Sequence, residues 1–138
     1  MAMVTAPKRR ILVAEDDEDA GLTLRMLLES LGYEAHLVRD GESAVREAIR
    51  LSPDVVILDI GMPLLSGYDA AQLIRKSTPG KKILMVALSG WARIQDVERS
   101  KAAGIDFHLV KPLELSRLKE ILDSLPKRDK PRRPPRVR

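Results

Sequence analysis

Strand-like and helix-like stretches alternate five times along the chain. RILVA (10–14), DVVIL (54–58) and KILMVAL (82–88) are short, nearly continuous apolar runs, and FHLV (107–110) is a shorter one. YEAHLV (33–38) instead alternates apolar and polar residues. Helical spacing fills the gaps. LTLRMLLESLG places Leu24, Leu27, Leu28 and Leu31 on one face, with Gly32 as the stop. Asp40 is placed to cap a helix with Val45, Ala48 and Ile49 inward, ended by Pro53. Ser66 and Gly67 open a third helix with Ala70, Leu73 and Ile74 inward. ARIQDVERSKAA carries only a thin apolar face, Ile94 and Val97, before Gly104. Leu115, Leu118, Leu122 and Leu125 form the stripe of the last helix.

This alternation predicts a single α/β domain of (βα)5 type. Parallel strands need crossover connections, and these are right-handed, so a five-stranded parallel sheet lies between two helix layers. Uniformly apolar strands one, three and four are expected at the centre, buried on both faces. The alternating second strand is expected at an edge. In such doubly wound sheets ligands bind beyond the carboxyl ends of the strands.

Composition narrows the class. With 138 residues, 44% hydrophobic and 32% charged, the chain suits one soluble globular domain, and the absence of cysteine excludes disulfides and thiolate metal sites. MAMVTAPKRR lacks the apolar core of a signal peptide and no run is long enough to span a membrane, so a cytoplasmic location without membrane insertion is expected. The net charge of +4 hides a segregation. Residues 127–138 hold seven basic residues and one Asp, whereas residues 11–126 hold 14 basic against 19 acidic side chains, a net of −5. The expected division is an extension over 1–9, a domain over 10–125 and a basic, proline-rich, disordered or extended tail over 126–138. Such a tail is compatible with nucleic acid or an anionic membrane, but the favoured expectation is a solvated tail without a specific partner.

Chemistry gathers at the strand ends. Strand one runs into Glu15, Asp16 and Asp17, strand three into Asp59, strand four into Ser89, and strand five into Lys111-Pro112. Crowded carboxylates repel one another unless a cation neutralises them. With oxygen donors and only two histidines, Mg²⁺ suits the set best, held by Glu15, Asp16 and Asp59. Asp17 to Asp19 are read instead as acids favouring a helix start. Asp59 beside such a metal is placed as a carboxylate nucleophile toward phosphate, with Lys111 and Ser89 on the phosphoryl oxygens.

ILVAEDD, VVILDIGMP, SGYD, ALSG and HLVKP together closely resemble the receiver domain of two-component response regulators, across residues 10 to 112. The spacing is demanding: 44 residues from Glu15 to Asp59, 30 more to Ser89 and 22 more to Lys111. The resemblance implies a flavodoxin-like fold with strand order 2-1-3-4-5. It implies Asp59 as phosphoacceptor, Asp16 as a direct Mg²⁺ ligand, Glu15 as one through water, and Gly61 as one through its backbone carbonyl. Ser89 matches the switch hydroxyl and Lys111 the family lysine, with a cis Lys111-Pro112 peptide expected. The aromatic switch position is His108 here, where Tyr or Phe is usual, and a hydrogen-bonded His without switching is the competing reading. Trp91 places a bulky side chain near the site mouth. His36, on the edge strand, is expected to be an ordinary half-exposed polar residue.

The implied function is a signalling switch rather than a metabolic enzyme. Asp59 takes a phosphoryl group from a sensor histidine kinase or histidine phosphotransfer protein, is slowly autodephosphorylated, and alters a surface for a downstream effector. The fourth helix is expected to move. Direct DNA binding is not expected, and a weak homodimer is left open. A hybrid-kinase receiver in a phosphorelay and a non-phosphorylated interaction domain are the alternatives. An aspartyl-nucleophile phosphatase would want an acid where Gly61 stands.

Overall fold

The computed structural model describes residues 8–90 and 94–126. Trp91, most of the 1–9 extension and the basic residues 127–138 lie outside the described residues. The order is β1 (Arg10–Ala14), α1 (Glu18–Ser30), β2 (Glu34–Val38), α2 (Gly41–Leu51), β3 (Val55–Asp59), α3 (Gly67–Ser77), β4 (Leu84–Ser89), α4 (Ile94–Ala102), β5 (Phe107–Val110) and α5 (Leu115–Asp123). All strand pairs are parallel, in the order β2-β1-β3-β4-β5. The central strands are β1, β3 and β4, as their unbroken apolar runs require. Every residue of the edge strand β2 is only partly buried.

Strand alternation divides the core in two. Leu12, Ala14, Val56, Leu58, Met85 and Ala87 pack under α2 and α3. Ile11, Val13, Val55, Ile57, Val86, Leu88 and Leu109 pack under α1 and α5. Successive side chains on a strand point to opposite faces, so each apolar run feeds both layers and cannot tolerate a polar residue in its interior.

Local signals set the helix ends. Asp17, Asp40 and Ser66 each accept a backbone N–H three residues on, which satisfies one orphan donor of α1, α2 and α3. Gly32 closes α1 with φ +96°: its N–H bonds to the Glu29 carbonyl and that of Tyr33 to the Leu28 carbonyl. Three expected core leucines prove exposed. Leu31 is the C-cap of α1, and Leu73 and Leu115 face solvent at 41% and 40% exposure. On α3 the inward arc is Tyr68, Ala70, Ala71 and Ile74, and on α5 it is Leu118, Ile121 and Leu122. No helix among the described residues is long and apolar enough to cross a membrane.

Candidate functional site

Sheet register brings the strand-end residues together. Ala14 pairs with Leu58, so Glu15 and Asp59 emerge side by side; Asp59 pairs with Leu88, and Ser89 with Val110, one residue before Lys111. The backbone continues the ladder past the strands, with Ile60 N–H donating to the Leu88 carbonyl (2.9 Å) and Lys111 N–H to the Ser89 carbonyl (2.8 Å). Strand alternation then sorts the side chains. Glu15 and Asp59 share the parity of Val13 and Ile57, on the α1/α5 face, and Lys111 that of Leu109. Ser89 and His108 share the parity opposite, with Ala87.

Lys111 Nζ lies 3.0 Å from Glu15 Oε1 and 3.3 Å from Asp59 Oδ2, bridging two buried carboxylates. Asp59 Oδ1 accepts the Gly61 backbone N–H at 3.0 Å. The contact Gly61 makes in this structure is thus through its amide. A Cβ at Gly61 would meet Asp59 Oδ1 at an ordinary 3.7 Å, so this contact does not by itself demand glycine. Gly67 is different: a Cβ there would lie 2.7 Å from the Asp59 carbonyl oxygen and 2.9 Å from Ile60 Cα. The start of α3 is pressed against the strand end that carries Asp59.

Burial pushes the Glu15 carboxyl up to about 7, helped by its hydrogen bond to Asp59 and opposed by Lys111. Burial also acts upward on Asp59, but the hydrogen bond from Glu15, the Gly61 amide and Lys111 outweigh it, and its pKa is lowered. Burial works against the Lys111 ammonium, yet the two carboxylates raise its pKa. Asp59 is therefore biased toward its ionised form, and Glu15 toward its protonated form.

Carboxylate oxygens of Glu15, Asp16 and Asp59 lie within 4.8 Å of one another. Such an all-oxygen set suits a hard dication, which would displace the shared proton and supply charge that Lys111 supplies only in part. Asp16 is exposed, whereas Glu15 and Asp59 are buried. A cleft of about 510 Å³ opens beside the cluster, with Glu15, Asp17, Leu24, Lys111 and Leu113 in its wall. Asp17 itself caps α1. The Lys111-Pro112 peptide is cis.

His108 Nδ1 lies 2.7 Å from the hydroxyl of Ser100, which is 2% exposed on α4. The neighbouring Phe107 packs on the opposite face, beneath the Arg117 guanidinium. Ser100 escaped notice in the sequence, although a signal was present. It continues the i, i+3 spacing of Ile94 and Val97 at a place where an apolar residue would be expected. α4 is also tied to α3, with Arg99 over the Tyr68 ring and the Tyr68 hydroxyl directed at the Asp96 carbonyl. His36 is half-buried and bonds Glu34 on its own strand, far from the cluster.

A sequence profile of the response regulator receiver domain matches residues 11–123. The chain belongs to this family. The receiver is 34% identical over 120 residues to the chemotaxis protein CheY of Thermotoga maritima, covering 86% of this chain and 98% of that protein. It is 35% identical over 117 residues to the hybrid signal transduction histidine kinase G of Dictyostelium discoideum, covering 83% of this chain but only 3% of the kinase. It spans 46% of the transcriptional regulatory protein RprY of Bacteroides fragilis, at 32% identity over 111 residues and 80% of this chain. Among solved structures, the receiver domain of the sensor histidine kinase PA1611 of Pseudomonas aeruginosa superposes with a TM-score of 0.77 at 35% identity. The match covers 85% of this chain and 96% of that one, and magnesium is coordinated in that protein's active-site cleft. The receiver is thus a signalling module of two-component type, with five parallel strands in the order shared by CheY-like proteins.

Proposed function

We propose that this receiver accepts a phosphoryl group on Asp59 from a phosphohistidine of a sensor kinase or phosphotransfer protein, and so changes a surface read by a downstream protein. The observation that carries this reading is the buried Asp59 carboxylate at the end of β3, 3.3 Å from Lys111 Nζ and within 4.8 Å of carboxylate oxygens of Glu15 and Asp16. An Asp59 oxygen attacks phosphorus, the P–N bond to the donor imidazole breaks, and the leaving imidazole takes up a proton. Lys111, freed from its two carboxylates, pairs with a phosphoryl oxygen, and Ser89 donates a hydrogen bond to another. Mg²⁺, when bound, neutralises charge on the transferring group. Asp16, Glu15, Asp59 and the Gly61 carbonyl are its proposed ligands. Attack of water on phosphorus returns the receiver to its resting state.

The output passes through α4. Movement of Ser89 toward the phosphoryl group opens space on the face it shares with His108. His108 can enter that space only by giving up its 2.7 Å bond to Ser100. That exchange would loosen α4 from β5, and a loosely packed helix is the element such a switch can move. The domain occupies residues 10–125, in the cytoplasm, flanked by the 1–9 extension and the 126–138 tail.

Similarity at 35% identity to receivers of a hybrid kinase and of a sensor kinase favours a second reading, in which Asp59 relays its phosphoryl group to a histidine phosphotransfer protein. One experiment tests the reading common to both. Incubation with Mg²⁺ and acetyl phosphate, followed by intact mass spectrometry, should show one added phosphoryl group. The adduct should vanish with chelator and in Asp59→Asn. An equal adduct on Asp59→Asn would overturn the assignment.

A further inference from the structure

Apolar burial does little to hold α4. Among its described side chains, which run from Gln95 to Ala102, Ser100 alone is buried. Asp96 and Val97 are half-buried and the others exposed. A helix ordinarily docks by an apolar stripe. Here the one side chain sunk against the sheet is a hydroxyl, and its partner is His108 Nδ1 on β5, 2.7 Å away. A second hold comes from α3. Tyr68, itself buried, directs its hydroxyl at the Asp96 carbonyl (3.4 Å), and the Arg99 guanidinium lies 4.3 Å from the centre of its ring. The C-terminal end of α4 is fixed differently. Gly104 turns the chain at φ +86°, the Ile105 N–H returns to the Ser100 carbonyl, and Ala103 and Ile105 join the core. Arg75 of α3 grips the Gly104 carbonyl with two N–H groups, at 3.0 and 2.7 Å. The helix is thus pinned at one end by core and guanidinium, and along its length by polar contacts to β5 and α3.

We propose, resting on the reading of Asp59 as phosphoacceptor, that Ser100 and Tyr68 form a latch that holds α4 at rest and so regulates how tightly the Asp59 site takes a phosphoryl group. Both are positioning residues, since neither touches the reacting atoms. A group at Asp59 that favours the switched arrangement must release α4 from both contacts. Its apparent affinity therefore scales with the fraction of molecules in which the latch is already open. A hydrogen bond is directional, so rotation of His108 ends it outright, whereas an apolar contact would yield by degrees. The latch depends on histidine at 108, because a phenylalanine ring has no atom to meet the buried Ser100 hydroxyl. Tyr68 acts from the other side, next to Gly67, whose close approach to the Asp59 carbonyl fixes the start of α3. The grip of Arg75 on Gly104 leaves the C-terminal end in place, so release tilts the helix rather than detaching it.

Two measurements on the full chain test this, with Ser100→Ala and Tyr68→Phe as variants. Tyr68→Phe keeps the ring beneath Arg99 and removes only the hydroxyl, so it should fold as the wild type does by circular dichroism. The first measurement uses no phosphoryl group. Three-bond NMR couplings should report one χ1 rotamer for His108 in the wild type and rotamer averaging in Ser100→Ala. A single unchanged rotamer in the variant would overturn the latch. The second is titration with beryllofluoride, a non-covalent phosphoryl mimic, in MgCl₂ and followed by ¹⁹F NMR. Ser100→Ala should bind it about fivefold more tightly than the wild type and Tyr68→Phe about twofold, the double variant combining the two gains. A merely structural role predicts equal or weaker binding, and either result would overturn the proposal. Failure of the wild type to bind the mimic, or equal binding by Asp59→Asn, would instead sink the Asp59 reading. The regulatory claim would fall with it, and the His108 rotamer would decide the latch alone.

Discussion

Removing the ammonium of Lys111 would leave Glu15 and Asp59 facing one another with little else to neutralise them. Both carboxylates are buried, and Lys111 lies 3.0 and 3.3 Å from them with 37% of its side chain exposed. Breaking a fully buried pair costs about 3–5 kcal/mol, but the exposure of the lysine screens it, so Lys111→Met should cost about 2 kcal/mol above neutrality. The cost should depend on pH through Glu15. Its folded pKa of about 7 stands above the ordinary 4.5. The folded state therefore binds the extra proton, and this contribution to stability is full below 4.5 and lost as pH rises through about 7. In the wild type that loss is worth about 3 kcal/mol. Near pH 5.5 Glu15 carries a proton in both proteins, and the penalty of Lys111→Met should shrink to less than about 1 kcal/mol. Millimolar MgCl₂ should restore more stability to the variant than to the wild type at about pH 8, because a dication takes over the missing charge. Urea unfolding at the two pH values, with and without MgCl₂, measures all of this. An equal penalty at both pH values, or a wild type whose stability does not fall between them, would refute the reasoning.

Other substitutions probe single contacts. Gly67→Ala should destabilise by about 1–3 kcal/mol in urea unfolding, because its Cβ would lie 2.7 Å from the Asp59 carbonyl oxygen and backbone must shift to relieve it. Ser100→Ala removes a buried hydroxyl bonded to His108, and should cost about 1–2 kcal/mol in thermal unfolding and change the imidazole ¹⁵N shifts of His108. Asp16→Asn should weaken Mg²⁺ binding at least about tenfold by calorimetry, with a stability change under about 0.5 kcal/mol because the side chain is exposed.

The sheet was readable because each central strand is a run of apolar residues that a parallel interior demands, and its end is where the apolar run meets a charge. Asp59, Glu15 and Lys111 could be placed together for the same reason: register carries strand ends to one edge. Helix faces were less readable. Leu73 and Leu115 are as apolar as their buried neighbours, and only the packing of α3 and α5 on the sheet decides which side of a leucine-rich arc is covered. Contacts made across the fold left no local trace. The closeness of Gly67 to the Asp59 carbonyl and the grip of Arg75 on Gly104 depend on tertiary placement. Ser100 and His108 were visible separately as a hydroxyl in a thin apolar stripe and a histidine at an aromatic position. Their pairing is set by how α4 lies over β5.

The claim on which the rest depends is that Asp59 is the residue phosphorylated. Phosphorylation with acetyl phosphate and Mg²⁺, reduction with borohydride and peptide mapping by mass spectrometry locate the acyl phosphate directly. The reduced label, a homoserine in place of aspartate, is expected at residue 59 alone and only when Mg²⁺ was present. A label at Asp16, Asp17 or any other carboxylate, or equal labelling under chelation, would contradict it.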